Sequence, residues 1–220
     1  MMRRLKTISF LNERQWAFIT QRLDKPAPQH MRERLKRAIE STNEISRSNF
    51  LFKLNGSDVS VSMLKSSDEL GGFQCEKGEC ADFVQSPEGP LQCRIQNLNV
   101  TYVFRSEGTP IGFITVAMSS LRKLEELGQS SKEQVQEIPS LLLARLARDI
   151  RYKGQGVGEL LTDWAICFAN ELAGIVGCRF VILEIEQNMI TLFQRYGFEL
   201  LPPDRDNRRY VMFFDLGTHE

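Results

Sequence analysis

Apolar and polar positions change period several times along the chain, and each change marks an element. From Asn12 to Leu23, Trp16, Ile19 and Leu23 recur at helical spacing, with Asn12 placed as N-cap and the Pro26–Pro28 turn as a stop. A second helix is predicted from about Gln29 to Ile45; Met31, Leu35, Ala38 and Ile39 form one face, and Arg32, Arg34, Lys36 and Arg37 lie on the others. Alternation then takes over from Phe50 to Leu64 around Asn55–Gly56, a pair that favours a two-residue hairpin turn. Asp68–Val84 reads as a turn and a short helix. Val100–Arg105 and Ile111–Met118, joined by Glu107-Gly108-Thr109-Pro110, predict another hairpin. The polar run Lys123–Ile138 carries no capping signal and is expected to be an excursion, after which Pro139 opens a strand.

The stretch from Leu141 to Leu172 organises the rest. An apolar run, LLLARLARDI, leads into RYKGQGVG, and apolar residues then recur at Leu160, Leu161, Trp164, Ala165, Phe168, Ala169 and Leu172 on one helical face. Strand, glycine turn and helix follow in order. Cys178–Ile185 is a second buried strand, expected to run parallel to the first through a right-handed crossover. A short helix, MITLFQRYGF, and a closing strand, Arg209–Leu216, complete the pattern.

Glycines at 154, 156 and 158 let the backbone turn tightly and leave its amides open to a ligand. A helix N-terminus carries unpaired N–H groups and partial positive charge, so the segment Gly154-Gln155-Gly156-Val157-Gly158, with Arg151 and Lys153, suits a pyrophosphate. Two familiar phosphate loops are excluded by spacing. A Walker loop requires Lys and then Ser or Thr after its last glycine, where this chain has Glu159 and Leu160; a dinucleotide fingerprint requires a two-residue gap before its third glycine.

Arg151-x-x-Gly154-x-Gly156, with Asn188 and Tyr196-Gly197-Phe198 downstream, resembles motif A and the later site elements of the GNAT superfamily of acyl-CoA N-acyltransferases. Phe73, Cys75, Asp82 and Phe83, together with Pro139, Leu143, Arg145, Leu146, Ala147 and Asp149, resemble the branch that includes toxins acetylating aminoacyl-tRNA. The resemblance implies an α/β fold with a mixed central sheet, whose parallel strands splay around an acyl-CoA cleft, and an N-terminal helical extension. Residues 1–55 are assigned to that basic, mainly helical extension and 56–220 to the acyltransferase domain. It implies acetyl-CoA as co-substrate, bound by backbone groups of Leu146, Ala147 and Arg148, by the loop from Arg151 to Gly158, and by Asn188 and Phe193.

Acetyl transfer from a thioester to an amine needs a neutral amine, a donor for the developing oxyanion and a proton for the departing thiolate. In the resembling branch a Tyr three residues before the aromatic-Gly-Phe turn supplies that proton. The corresponding residue here is Phe193, which has no proton to give. Tyr196 is the alternative hydroxyl, or a packing residue. Glu184 and Glu186 alternate along one strand and face one side, where either can take the amine proton or simply be a solvated carboxylate. Asp149 is expected to hold Arg151 or the loop.

Composition narrows the picture further. Hydrophobic residues make up 42% of the 220 and charged residues 25%, as in a soluble globular protein. No apolar run approaches the roughly 20 residues of a membrane helix. Met1–Lys6 are basic, but Asn12, Glu13 and Arg14 interrupt any secretory pattern, and a cytoplasmic location is expected. Five cysteines argue against a disulfide framework, and with only His30 and His219 to add, no metal site is expected. The formal net charge is zero, yet residues 1–53 hold 12 Lys and Arg against 5 Asp and Glu. That basic front either solvates the second helix or contacts RNA or an acidic protein. Three functions remain: acetylation of an unidentified primary amine, toxin-like acetylation of aminoacyl-tRNA, and a catalytically impaired acyl-CoA-binding module. A homodimer is compatible with each.

Overall fold

The computed structural model describes residues 10–23, 25–41, 43–46, 49–75, 80, 82–83, 86, 89–123, 137–202 and 210–217, so residues 124–136 of the expected excursion lie outside it. In chain order the first elements are β1 (Phe10–Leu11), α1 (Glu13–Leu23), α2 (Gln29–Ser41), β2 (Asn43–Ser46), β3 (Asn49–Leu54) and β4 (Ser57–Met63). Next come α3 (Pro90–Ile95), β5 (Val100–Ser106), β6 (Thr109–Lys123) and β7 (Glu137–Arg148). The last are α4 (Val157–Ile175), β8 (Phe180–Ile185), α5 (Ile190–Arg195), β9 (Glu199–Leu200) and β10 (Tyr210–Asp215). This is a mixed α/β chain. It divides into two compact units, one built from Arg37–Ala117 and Leu143–Ala165, the other from the helices before Arg37 with Met118–Leu142 and Ile166–Glu220.

In the first unit β2 to β6 form an antiparallel run, each strand pairing with the next. Asn55 and Gly56 have φ of 51° and 88°, and Glu107 and Gly108 have 50° and 79°, so both hairpins close on two left-handed residues, as the twist of the flanking strands favours. Thr109 and Pro110, expected in the turn, belong to β6 instead. Pro110 lacks an N–H, and it sits opposite Arg105 where the ladder shifts register, a position that tolerates the missing donor. The second predicted helix stops at Ser41, because Asn43–Ser46 pair with β3 instead.

One face of this unit packs Val103, Phe113 and Ala147 with Leu64 and Leu70, under Phe73, Cys80, Phe83 and Leu91. The opposite face meets α4: the Trp164 ring lies 4.6 Å from Tyr102 and 5.6 Å from Phe104. Gly112 makes this approach possible. A Cβ there would come within 3.1 Å of the Ala147 carbonyl, the Leu161 methyl and the Val157 methyl, so a side chain would require these neighbours to give by a few tenths of an ångström.

In the second unit β8 runs parallel to β7, as the crossover requires, with Ser140, Leu141 and Leu142 opposite Phe180, Val181 and Ile182. β10 pairs antiparallel with β8 and with β9. α1 begins with a capping box: the Gln15 amide donates to Asn12 Oδ1 at 2.9 Å and the Asn12 amide to Gln15 Oε1 at 3.2 Å. Ile19 and Met31 are fully buried, each contributing about 2 kcal/mol of apolar burial. The Phe18 ring meets Phe213 edge-on, and the Asp215 amide donates to Met31 Sδ. Arg179 pairs with buried Asp215 at 2.8 Å and donates to the Arg22 carbonyl, while Arg22 pairs with Glu199. The two N-terminal helices are thus fastened to β8, β9 and β10.

Candidate active site

The loop after β7 is built on Asp149. Its side chain is inaccessible to solvent and accepts from the Gln74 amide at 3.0 Å, the Arg151 amide at 3.0 Å, Arg151 Nε at 2.8 Å and Arg151 Nη2 at 2.7 Å. Arg151 also donates to the Gly72 carbonyl at 3.3 Å, and the Ile150 amide to the Gln74 carbonyl at 2.8 Å. The carboxylate therefore ties the turn Ile150–Tyr152 to residues 72–74. The hydrogen-bonded Arg151 guanidinium, with the Gln74 and Arg151 amides, holds the Asp149 carboxyl down at about 2. Burial, reinforced by the Asp149 charge, pushes the neighbouring Cys75 thiol up, away from thiolate chemistry.

A depressed carboxyl makes stability rise with pH wherever the unfolded chain binds the extra proton. The Asp149 contribution is complete above about pH 4 and is lost as pH falls through about 2. Asp149→Ala, which leaves the Gln74 amide without its acceptor, is expected to cost about 2 kcal/mol at neutral pH. Urea unfolding of both proteins checks this: the gap between them should narrow steadily from pH 4 to pH 2.

Beyond the turn, Gly154 and Gly156 have φ of 77° and 83°, the left-handed conformations that glycine adopts without steric cost. Gly158 lies inside α4. The Leu160 amide is the first to be taken up, by the Gly156 carbonyl at 3.0 Å, so the amides of Val157 and Gly158 precede the intrahelical ladder. Lys153 and Gln155 lie on the same turn, with Gln155 donating to the Arg151 carbonyl. On the strand, the Asp149 amide bonds the Ile111 carbonyl at 2.9 Å. Alternation then points the peptide groups of Leu146 and Arg148 away from β6, and those of Ala147 toward it. Pairing of β7 with β8 is confined to Ser140–Leu142, although β7 runs on to Arg148 and β8 to Ile185.

The second unit carries the other expected residues. Glu184 is half-buried on β8, while Glu186, Gln187 and Asn188 line an open pocket of about 460 Å³ beyond the strand end. α5 ends in a Schellman motif, with the Phe198 amide bonded to the Phe193 carbonyl and the Gly197 amide to the Gln194 carbonyl, each at 3.0 Å. Gly197, at φ 91°, lies against the Arg34 methylenes and the Phe214 ring. Phe193 is 4% exposed, its ring edge-on to Tyr196 and Phe198 at 5.8 Å each, and Tyr196 is half-buried. Among the described residues no group of three or more His, Cys, Asp and Glu could hold a metal, and no helix is long and apolar enough to cross a membrane.

No family model matches the chain. Among curated proteins, a tRNA-acetylating toxin of Mycobacterium tuberculosis is 22% identical over 142 residues, covering 64% of this chain and 84% of the toxin. A probable toxin TacT of Sinorhizobium fredii is 28% identical over 149 residues, covering 61% and 80%. Among solved structures, AtaT in complex with acetyl-methionyl-tRNAfMet superposes with a TM-score of 0.57 at 22% identity, over 72% of this chain and 95% of AtaT. AtaTR bound with AcCoA gives 0.60 at 21% identity, over 72% and 94%. A Tyr-to-Phe variant of KacT gives 0.59 at 22% identity, over 72% and 95%. On fold and on sequence, the chain is a GNAT-fold relative of the tRNA-acetylating toxins.

Proposed function

We propose that the chain is an acetyl-CoA-dependent N-acetyltransferase whose acceptor is the α-amino group of an aminoacyl-tRNA, acting in a cytoplasmic setting. The observation that carries this reading is the Asp149-held turn that delivers two left-handed glycines and an unladdered helix start, a backbone suited to a pyrophosphate. Similar toxins, AtaT solved with acetyl-methionyl-tRNAfMet and AtaTR with AcCoA, support this choice of acceptor and co-substrate.

In this mechanism the loop amides of Gly154, Gly156, Val157 and Gly158, with Lys153, hold the pyrophosphate, the Gln155 amide being taken by the Tyr152 carbonyl at 3.3 Å. Arg151 acts through the turn it closes on Asp149, its guanidinium being engaged there. The outward peptide groups of Leu146 and Arg148 orient the pantetheine arm, and the parts of Ala147, Asn188 and Phe193 in holding it are those the family resemblance implies. The amine nitrogen attacks the thioester carbonyl; an N–C bond forms and the C–S bond breaks. The amine proton passes to Glu186 or Glu184, directly or through water, and the thiolate takes a proton from the Tyr196 hydroxyl. No covalent enzyme intermediate is needed.

CoA-thiol release by purified protein, with acetyl-CoA and either charged tRNA or mixed amines and peptides, tests the reading. Release that requires charged tRNA, and falls about a hundredfold in Tyr196→Phe, is the expected result. Equal release with simple amines would reject the acceptor. Buried Phe193 favours one second reading, a module that binds acyl-CoA without turnover; it predicts silence with every amine while acetyl-CoA still binds.

A further inference from the structure

We infer that Arg145, stacked on Phe83, forms a phosphodiester subsite for the single-stranded 3′ end of the acceptor RNA; the inference rests on the acceptor proposed above. Arg145 lies on β7 with its Cζ 4.3 Å from the centre of the Phe83 ring. Among the described residues its one hydrogen bond is a long one, from Nη1 to the adjacent Ala144 carbonyl at 3.4 Å, and its buried Nε has no acceptor there. Among the described residues no carboxylate pairs with it. Two other arginines of the same unit are neutralised, Arg105 by Glu69 at 2.6 Å and Arg151 by Asp149 at 2.7 Å. A guanidinium held partly out of water, with one N–H unsatisfied and no counter-charge, is costly to keep in the folded protein. An anionic ligand would offset that cost.

Position and chemistry define that ligand. Arg145 shares a strand face with Ala147, the face roofed by Phe73 and Phe83, while α4 covers the other. Four residues of strand separate it from Asp149, about 13 Å at 3.3 Å per residue, so it stands well apart from the loop proposed for the CoA pyrophosphate. A planar guanidinium with one face on an aromatic ring leaves its outer edge for a phosphate. An arginine–aromatic platform of this kind suits the splayed, single-stranded ends by which proteins recognise RNA.

The test uses the full chain and an uncharged RNA hairpin ending in CCA, with binding read by fluorescence anisotropy over a salt series. Arg145→Gln should weaken RNA binding about tenfold and lower the salt slope by about one, with acetyl-CoA affinity by calorimetry unchanged. Arg145→Lys, which retains the charge but not the planar fork, should keep the native slope with affinity lowered only a few-fold; it also serves if the glutamine variant fails to fold. RNA affinity unaltered in Arg145→Gln, a parallel loss of acetyl-CoA affinity in a folded variant, or no RNA binding by the native chain would overturn the subsite. Thiol release on charged tRNA reports separately on the acceptor. Arg145-dependent RNA binding without release would leave the subsite and remove the chemistry; release with unaltered RNA binding in Arg145→Gln would do the reverse.

Discussion

Glutamate in place of Gly156 is expected to lower acetyl-CoA affinity by about a hundredfold, from two effects acting together. Gly156 has φ of 83°, where an L residue is strained by about 1–2 kcal/mol, and relaxing that strain would turn the following amides away from the loop. The new carboxylate would also stand among groups proposed to face a pyrophosphate. Together these reach roughly 3 kcal/mol, about two decades in a dissociation constant. Space is not the obstacle, since the nearest atom to a Cβ there is a Leu54 methyl at 3.6 Å. Isothermal titration separates the effects: Gly156→Ala should show the smaller, conformational part alone. Binding unaltered in both variants would mean that the loop does not hold the co-substrate.

Phe193→Tyr is expected to raise the rate of thiol release about tenfold to a hundredfold, within the range attributed to a positioned general acid. Phe193 begins the Schellman closure of α5 and is sealed by Tyr196 and Phe198, so the helix geometry should survive the added hydroxyl. Its burial should cost about 1 kcal/mol of stability unless the oxygen finds a partner. A rise in kcat with the apparent KM for acetyl-CoA unchanged would show a proton delivered in the transition state alone. A folded Phe193→Tyr variant with native kinetics would mean that the thiolate needs no acid at this position, and Tyr196 would then be the group to pursue.

The strand, glycine turn and helix between Leu141 and Leu172 were legible because each is a local demand: a short continuous apolar run, positive φ, period 3.6. Asn12 was legible as a cap for the same reason. Gly112 was not. Nothing local requires glycine in the middle of a strand, and its reason is the tertiary approach of Val157 and Leu161. Six-residue α3 is under two turns and leaves no period to read, although Gly89 and Pro90 at its start were a usable signal. β1 and β9, two residues each, arise from pairing alone. At the candidate site, residue types could name Asp149 and Arg151, but their mutual engagement and their tie to Gly72 and Gln74 depend on a contact 75 residues away in sequence. The apolar faces of α1 and α2 were visible, whereas what they cover was not.

The fastening of those helices alters what the basic front presents to solvent. Arg22 is neutralised by Glu199, with His30 beside the same carboxylate, and Arg34 is buried against Gly197. A count of cations along residues 1–53 therefore overstates the electrostatic potential that this segment projects. Releasing the helices from β9 and β10 would uncover those cations locally while leaving the net charge of the chain unchanged.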